Sequence, residues 1–232
     1  MSFIIALIRL ARLPNIFTAM SNVWAGSFIA GHGLIEWRIV SIASVASAFL
    51  YAGGVMLNDY CDRDRDRASR PGRPIPAGLI KPHRALIISL IFLAVGSGVG
   101  FLISVYAGVI CLSIAISAIL YDTLKAFFPP AIIFMGLCRG LNWMLGLITA
   151  GAIDKRLLLL PLGIFLYIAS LTAISRWEEI IPPMKRWVRT GIIAIPLIDG
   201  GIVLAFGYVW PGIAIAALII PTVIVAKTVE MT

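Results

Sequence analysis

The chain has 232 residues, of which 60% are hydrophobic and 13% charged, with a mean hydropathy of +1.00. That excludes a soluble domain and requires a polytopic membrane protein. The formal charge of +8 does not point to nucleic acid, because the basic residues sit in short loops between apolar runs instead of forming a continuous patch.

The opening dozen residues, MSFIIALIRLAR, hold an apolar run too short to span a bilayer, broken by Arg9 and Arg12 and lacking a small-residue cleavage site. They predict an uncleaved interfacial helix. Apolar stretches follow near residues 14–31, 39–57, 84–104, 106–121, 129–151, 157–175, 190–208 and 211–227, each close to the roughly 17 to 25 residues that a span needs. The predicted fold is an all-α polytopic membrane protein, a single domain over residues 1–232 built as a bundle of about eight transmembrane helices. Fifteen Lys and Arg residues fall in loops on one side and three on the other, with Arg139 inside a span. This asymmetry places both termini and the polar loops on the cytoplasmic side of the cytoplasmic membrane.

In the first span, Asn15, Ser21, Asn22 and Trp24 interrupt the apolar pattern and suit hydrogen bonding between helices. Gly26, Gly53, Gly54, Gly96, Gly98 and Gly100 would let helices approach closely. Cys61, Cys111 and Cys138 form no CxxC pair or even framework and read as small apolar residues.

The one long polar passage is Asn58 to Gly78, NDYCDRDRDRASRPGRPIPAG, with four of the eleven acidic residues and five of the nineteen basic ones. Asp59, Asp62 and Asp66 are spaced three and four apart, so a helix continuing through them puts their carboxylates on one face, with Asn58 one turn ahead of Asp62. Like charges at that spacing repel, which favours a cationic partner. An EF-hand loop is excluded, since its Gly and Glu positions hold Arg67 and Arg73. No His or Cys sits at ligand spacing, which disfavours zinc, whereas carboxylates with an amide oxygen suit Mg2+, usually completed by water and substrate phosphates. Arg70, Arg73, Lys81 and Arg84 are residues of the type that would hold those phosphates. A solvated, charge-balanced loop is the alternative.

Farther along, Tyr121 and Lys125 share a helical face at the end of the fourth span, where interfacial Tyr and snorkelling Lys also occur for purely structural reasons. Arg139 in the fifth span should face the bundle interior with a partner; Asn142 lies on its face, and Asp199 in the seventh span is the expected counter-ion. The loop SRWEEIIPPMKRWVR supplies Glu178 and Glu179, either as metal-directed acids or as partners of Arg176 and Lys185. A pair of spans followed by a charged loop thus occurs twice, a weak internal repeat.

Asn58, Asp59, Asp62 and Asp66 reproduce the NDxxDxxxD motif of the UbiA superfamily of intramembrane prenyltransferases, and Arg73-Pro74-Ile75-Pro76-Ala77-Gly78 is similar to its RPxxxG tail. The phrase MGLCRGLNWMLG, with SRWEE in place of a second DxxxD motif, resembles the EboC branch. The resemblance implies a UbiA-like bundle around a central cavity open to cytoplasmic loops, binding a polyprenyl diphosphate through Mg2+ and transferring its prenyl group to an acceptor of unspecified identity. It implies metal binding by Asn58, Asp59, Asp62, Asp66, Glu178 and Glu179, and diphosphate binding by Arg70, Arg73 and Lys125. Asp62, Asp66, Lys125 and Tyr121 would be catalytic, and Asn15, Asn22, Arg139 and Asn142 would line the acceptor cavity. Tyr60 and Trp143 are candidates to face an allylic cation. Because the second acidic motif is degenerate, a non-catalytic polyprenyl-lipid binding or transport component is the alternative. A CDP-alcohol phosphatidyltransferase is excluded, since no DGxxAR segment precedes Asp62.

Overall fold

A computed structural model describes residues 3–151, 154–176 and 181–228. The secondary structure of the described residues is entirely helical. A short α1 (Phe3–Leu10) bends by 46° into α2 (Leu13–Ala30). The expected interfacial segment therefore leads straight into the first span. The hinge residue Arg12 adopts a left-handed conformation at φ 45° and ψ 53°, an uncommon state for a residue with a Cβ. Pro14 then starts α2, where its missing N–H costs no helical bond.

The next helices are α3 (Trp37–Cys61), α4 (Arg63–Ser69), α5 (Pro82–Phe101), α6 (Val105–Leu124), α7 (Phe128–Ile148) and α8 (Leu159–Ser175). Ser104 caps α6 by accepting from the Ala107 backbone N–H at 3.1 Å. After the second charged loop, α9 (Pro182–Ile193) bends by 44° into α10 (Ile195–Ala205), followed by α11 (Val209–Ala216) and α12 (Ile219–Thr228). Among the described residues, five helices are long and apolar enough to cross a membrane, or up to seven if each bent pair counts as one span. The eighth expected stretch is present as the short apolar helices α11 and α12, which fall below the length of a span.

The central element is α2, which packs against α3, α7, α10 and α12. Its contact with α7 is backbone to backbone. A Cβ on Gly26 would lie 2.6 Å from the Trp143 carbonyl oxygen, and one on Gly146 would lie 2.3 Å from that of Val23. Gly53 and Gly96 serve the α3–α5 contact in the same way, whereas Gly98 faces open space and has no such role. The outer faces of α5, α6 and α8 expose Ile87, Leu90, Val109, Leu112, Ile116, Leu162 and Leu166, as lipid-facing helices do.

This winding brings Arg12, the end of α3, α4, the end of α6 and the start of α7 to one end of the bundle. Two of the cavities among the described residues have volumes of about 240 Å³. One lies at the opposite end, between the α2–α3 turn and Thr149; the other is an apolar groove between α1, α2, α3 and Phe92.

Candidate functional site

The acidic passage is nearly one continuous helix. The backbone N–H of Asp62 bonds to the Asn58 carbonyl at 2.9 Å and that of Asp66 to the Asp62 carbonyl at 2.9 Å, so the α3–α4 break barely disturbs the helical phase. The carboxylates of Asp59, Asp62 and Asp66 consequently share the buried face, at 4%, 8% and 1% exposure. Asp64 points out, its side chain 66% exposed beside Arg67 and Arg63.

Four cations meet that face, one of them the exposed Arg65, whose Nη2 lies 3.3 Å from Asp62 Oδ2. Arg12 Nη2 reaches Asp59 Oδ1 at 2.6 Å, and Arg73 Nη1 reaches the same oxygen at 3.2 Å and Asp66 Oδ2 at 2.5 Å. Lys125 Nζ sits 2.9 Å from Asp62 Oδ1 and 3.0 Å from Asp122 Oδ1. Burial and the nearby Arg12 charge lower the Arg73 guanidinium pKa, against the pull of Asp59 and Asp66. Burial also lowers Lys125, but Asp122 and Asp62 outweigh it and leave the ammonium raised above the ordinary lysine value.

The RPxxxG loop folds Arg73 inward through backbone bonds from Arg73 N–H to the Arg70 carbonyl and from Ala77 N–H to the Arg73 carbonyl. Arg70 itself ends α4 and makes no ion pair with the acidic face among the described residues. Tyr121 is half-buried in the last turn of α6, next to Asp122. From the second loop, Arg176 Nη2 donates to the Lys125 carbonyl at 3.0 Å, bringing the end of α8 against the same site. Glu178 and Glu179 lie outside the described residues. The Tyr60 ring is covered by the Arg63 guanidinium at 4.6 Å.

Two participants escaped the sequence reading. Asp122 lies between Tyr121 and Lys125, and the sequence signal for it is an acid three residues before a Lys at the end of a span. Arg12 interrupts the first apolar run in sequence, and only the bend after α1 aims it at Asp59.

The intramembrane polar residues are arranged differently from expectation. Arg139 donates to Asn22 Oδ1 at 3.2 Å and Thr18 Oγ1 at 2.9 Å, and its guanidinium lies 5.2 Å from the Tyr51 ring centre. Asn142 donates instead to the Ala19 carbonyl at 2.7 Å. Asp199 accepts from Ser21 Oγ at 2.6 Å, Asn22 Nδ2 at 2.8 Å and Trp143 Nε1 at 2.9 Å. Direct pairing of Arg139 with Asp199 is thus replaced by a bridge through Asn22, because α2 stands between α7 and α10. Trp143 is fully buried in that network and cannot face a cation in the site. Asn22 uses both ends of its amide in that network, while Asn15 keeps a buried Oδ1 without a hydrogen-bond partner.

Among the described residues, no three acidic, His or Cys groups are arranged to hold a metal ion, since the carboxylates are turned onto cations. The donor set nevertheless fits Mg2+: it is all oxygen, and Asp66 Oδ1 is buried without a hydrogen-bond partner.

Residues 19–230 match the UbiA prenyltransferase family. The digeranylgeranylglyceryl phosphate synthase of Sulfurisphaera tokodaii is 33% identical over 111 residues, covering 46% of this chain and 38% of that protein. The 4-hydroxybenzoate octaprenyltransferase of a Janthinobacterium species is 27% identical over 143 residues, covering 60% and 50%. The matched region thus spans half or less of these relatives' own length. Among solved structures, one of digeranylgeranylglyceryl phosphate synthase superposes with a TM-score of 0.70 at 22% identity, over 98% of this chain and 88% of that one. A UbiA homologue from Archaeoglobus fulgidus bound to GPP and Mg2+ gives 0.64 at 19% identity, over 96% and 86%. These similarities support the superfamily and not specifically the EboC branch. With a family match along most of its length and the same helical fold, the chain belongs to the UbiA prenyltransferase family.

Proposed function

We propose that the chain transfers a polyprenyl group from a polyprenyl diphosphate to a small acceptor within the membrane, in a magnesium-dependent reaction. The observation that carries this reading is the inward carboxylate face of Asp59, Asp62 and Asp66, ringed by Arg12, Arg73 and Lys125, with Asp66 Oδ1 still unpartnered. Named relatives are prenyltransferases, and a fold neighbour was solved with GPP and Mg2+.

Asn58, Asp59, Asp62 and Asp66 would hold the cation, with Glu178 and Glu179 completing it from the second loop. When bound, Mg2+ supplies charge neutralisation for the leaving diphosphate. Arg73 and Lys125, which neutralise the carboxylates in this structure, turn to the diphosphate oxygens once the carboxylates are otherwise compensated, with Arg70 behind them. Tyr121, in the last turn of α6, would stand beside that diphosphate, and Asn15 would contact an acceptor from the first span.

The decisive assay incubates the purified protein in nanodiscs with radiolabelled geranylgeranyl diphosphate and a lipid extract of native membranes. Label moving into a new lipid only when magnesium is present supports transfer. Label that stays in intact, protein-bound diphosphate favours the alternative of a polyprenyl-lipid carrier.

The same reading sets the polar loops in the cytoplasm, on the charge asymmetry of the loops. Ala77 is exposed on the RPxxxG loop. In a background with the three native cysteines replaced, Ala77→Cys is expected to react with a membrane-impermeant thiol reagent only after the membrane is opened. Labelling of intact cells would reverse the topology.

A further inference from the structure

Asp122 is an acid that the motifs leave unassigned, and its side chain is 1% exposed at the end of α6. Its Oδ1 accepts from Asn58 Nδ2 at 2.8 Å and from Lys125 Nζ at 3.0 Å. Through those two bonds it ties the end of α3 to the cation that also grips Asp62. A primary amide has one donor end and one acceptor end, and a carboxylate accepts only. Asn58 can therefore meet Asp122 only through its NH2 group; a flipped amide would set oxygen against oxygen. The amide oxygen, the end able to ligate a hard cation, is thereby kept off Asp122 and left for the site.

We infer that Asp122 is a positioning residue: it orients the Asn58 amide so that oxygen and not nitrogen is offered to the divalent cation, and it holds Lys125 against Asp62. The inference rests on the function proposed above. Partners behind metal ligands act in this way, fixing which atom is presented and in what direction. Without Asp122, either end of the Asn58 amide can face the site and Lys125 keeps one carboxylate instead of two.

The test is calorimetry on the full-length protein in detergent, with geranylgeranyl S-thiolodiphosphate as the probe and the magnesium concentration for half-maximal binding as the readout. Asp122→Ala is expected to raise that concentration roughly 10- to 100-fold, the usual range for residues behind metal ligands. Asp122→Asn keeps an acceptor oxygen and should shift it less. Added to Asn58→Ala, Asp122→Ala should shift it little further, since its effect through the amide is already lost. An unmoved midpoint in Asp122→Ala, or a full additional shift in the double variant, overturns the positioning role while leaving the proposed function intact. If Asp122→Ala does not purify, Asp122→Leu, close in volume and without an acceptor, decides, and an unchanged midpoint there overturns the role. Magnesium-independent binding by the wild type, or none, overturns both readings.

Discussion

Asp66→Ala is expected to lower diphosphate release by a factor of roughly 10² to 10³, the size typical of removing one preorganised charge-stabilising group from an active site. Asp64→Ala, two residues away in sequence, should leave it unchanged. The contrast follows from helical phase. Asp66 is 1% exposed, with one oxygen on Arg73 and the other unpartnered, whereas the Asp64 side chain is 66% exposed among solvated arginines. Arg73 retains Asp59 when Asp66 is lost, so the loop should stay docked and the defect should lie in chemistry and not in folding. Release of diphosphate under saturating magnesium measures the effect, with melting temperature as the control. Equal losses in the two variants would mean that the inward face has no special role.

The second large effect concerns stability. Asp199→Leu is expected to cost about 3 to 5 kcal/mol, the range for breaking a buried charge network by removing one member. Three donors, on Ser21, Asn22 and Trp143, lose their acceptor inside the bundle, and the buried Arg139 loses the carboxylate linked to it through Asn22. Thermal melting in detergent reads the loss. Adding Arg139→Leu should then cost less than it does in the wild type, since the two charges belong to one network. Unchanged melting of Asp199→Leu would show that the network contributes nothing to the assembly of α2, α7 and α10.

Much of this arrangement was legible in the chain. The inward set Asp59, Asp62 and Asp66 and the outward Asp64 follow from a spacing of three and four, which a helix converts directly into faces. The spans were legible because their length and apolarity are set by the bilayer. Which helices touch was not legible, since periodicity within one helix says nothing of its neighbours. Arg139 was therefore matched with Asn142 on its own helix, whereas α2 inserts Thr18 and Asn22 between α7 and α10. Arg12 is illegible for a related reason: its approach to Asp59 depends on a left-handed hinge that no local residue preference announces. Asp122 was visible in the sequence, but its importance depends on α6 ending beside α3.

The central claim is that one helical face of carboxylates binds a prenyl diphosphate through magnesium. Calorimetric titration of geranylgeranyl S-thiolodiphosphate into the purified protein, with magnesium or with EDTA, tests it most directly. The expected result is binding that requires magnesium, is lost in Asp62→Ala and survives in Asp64→Ala. Binding that is indifferent to magnesium in all three proteins would contradict the account.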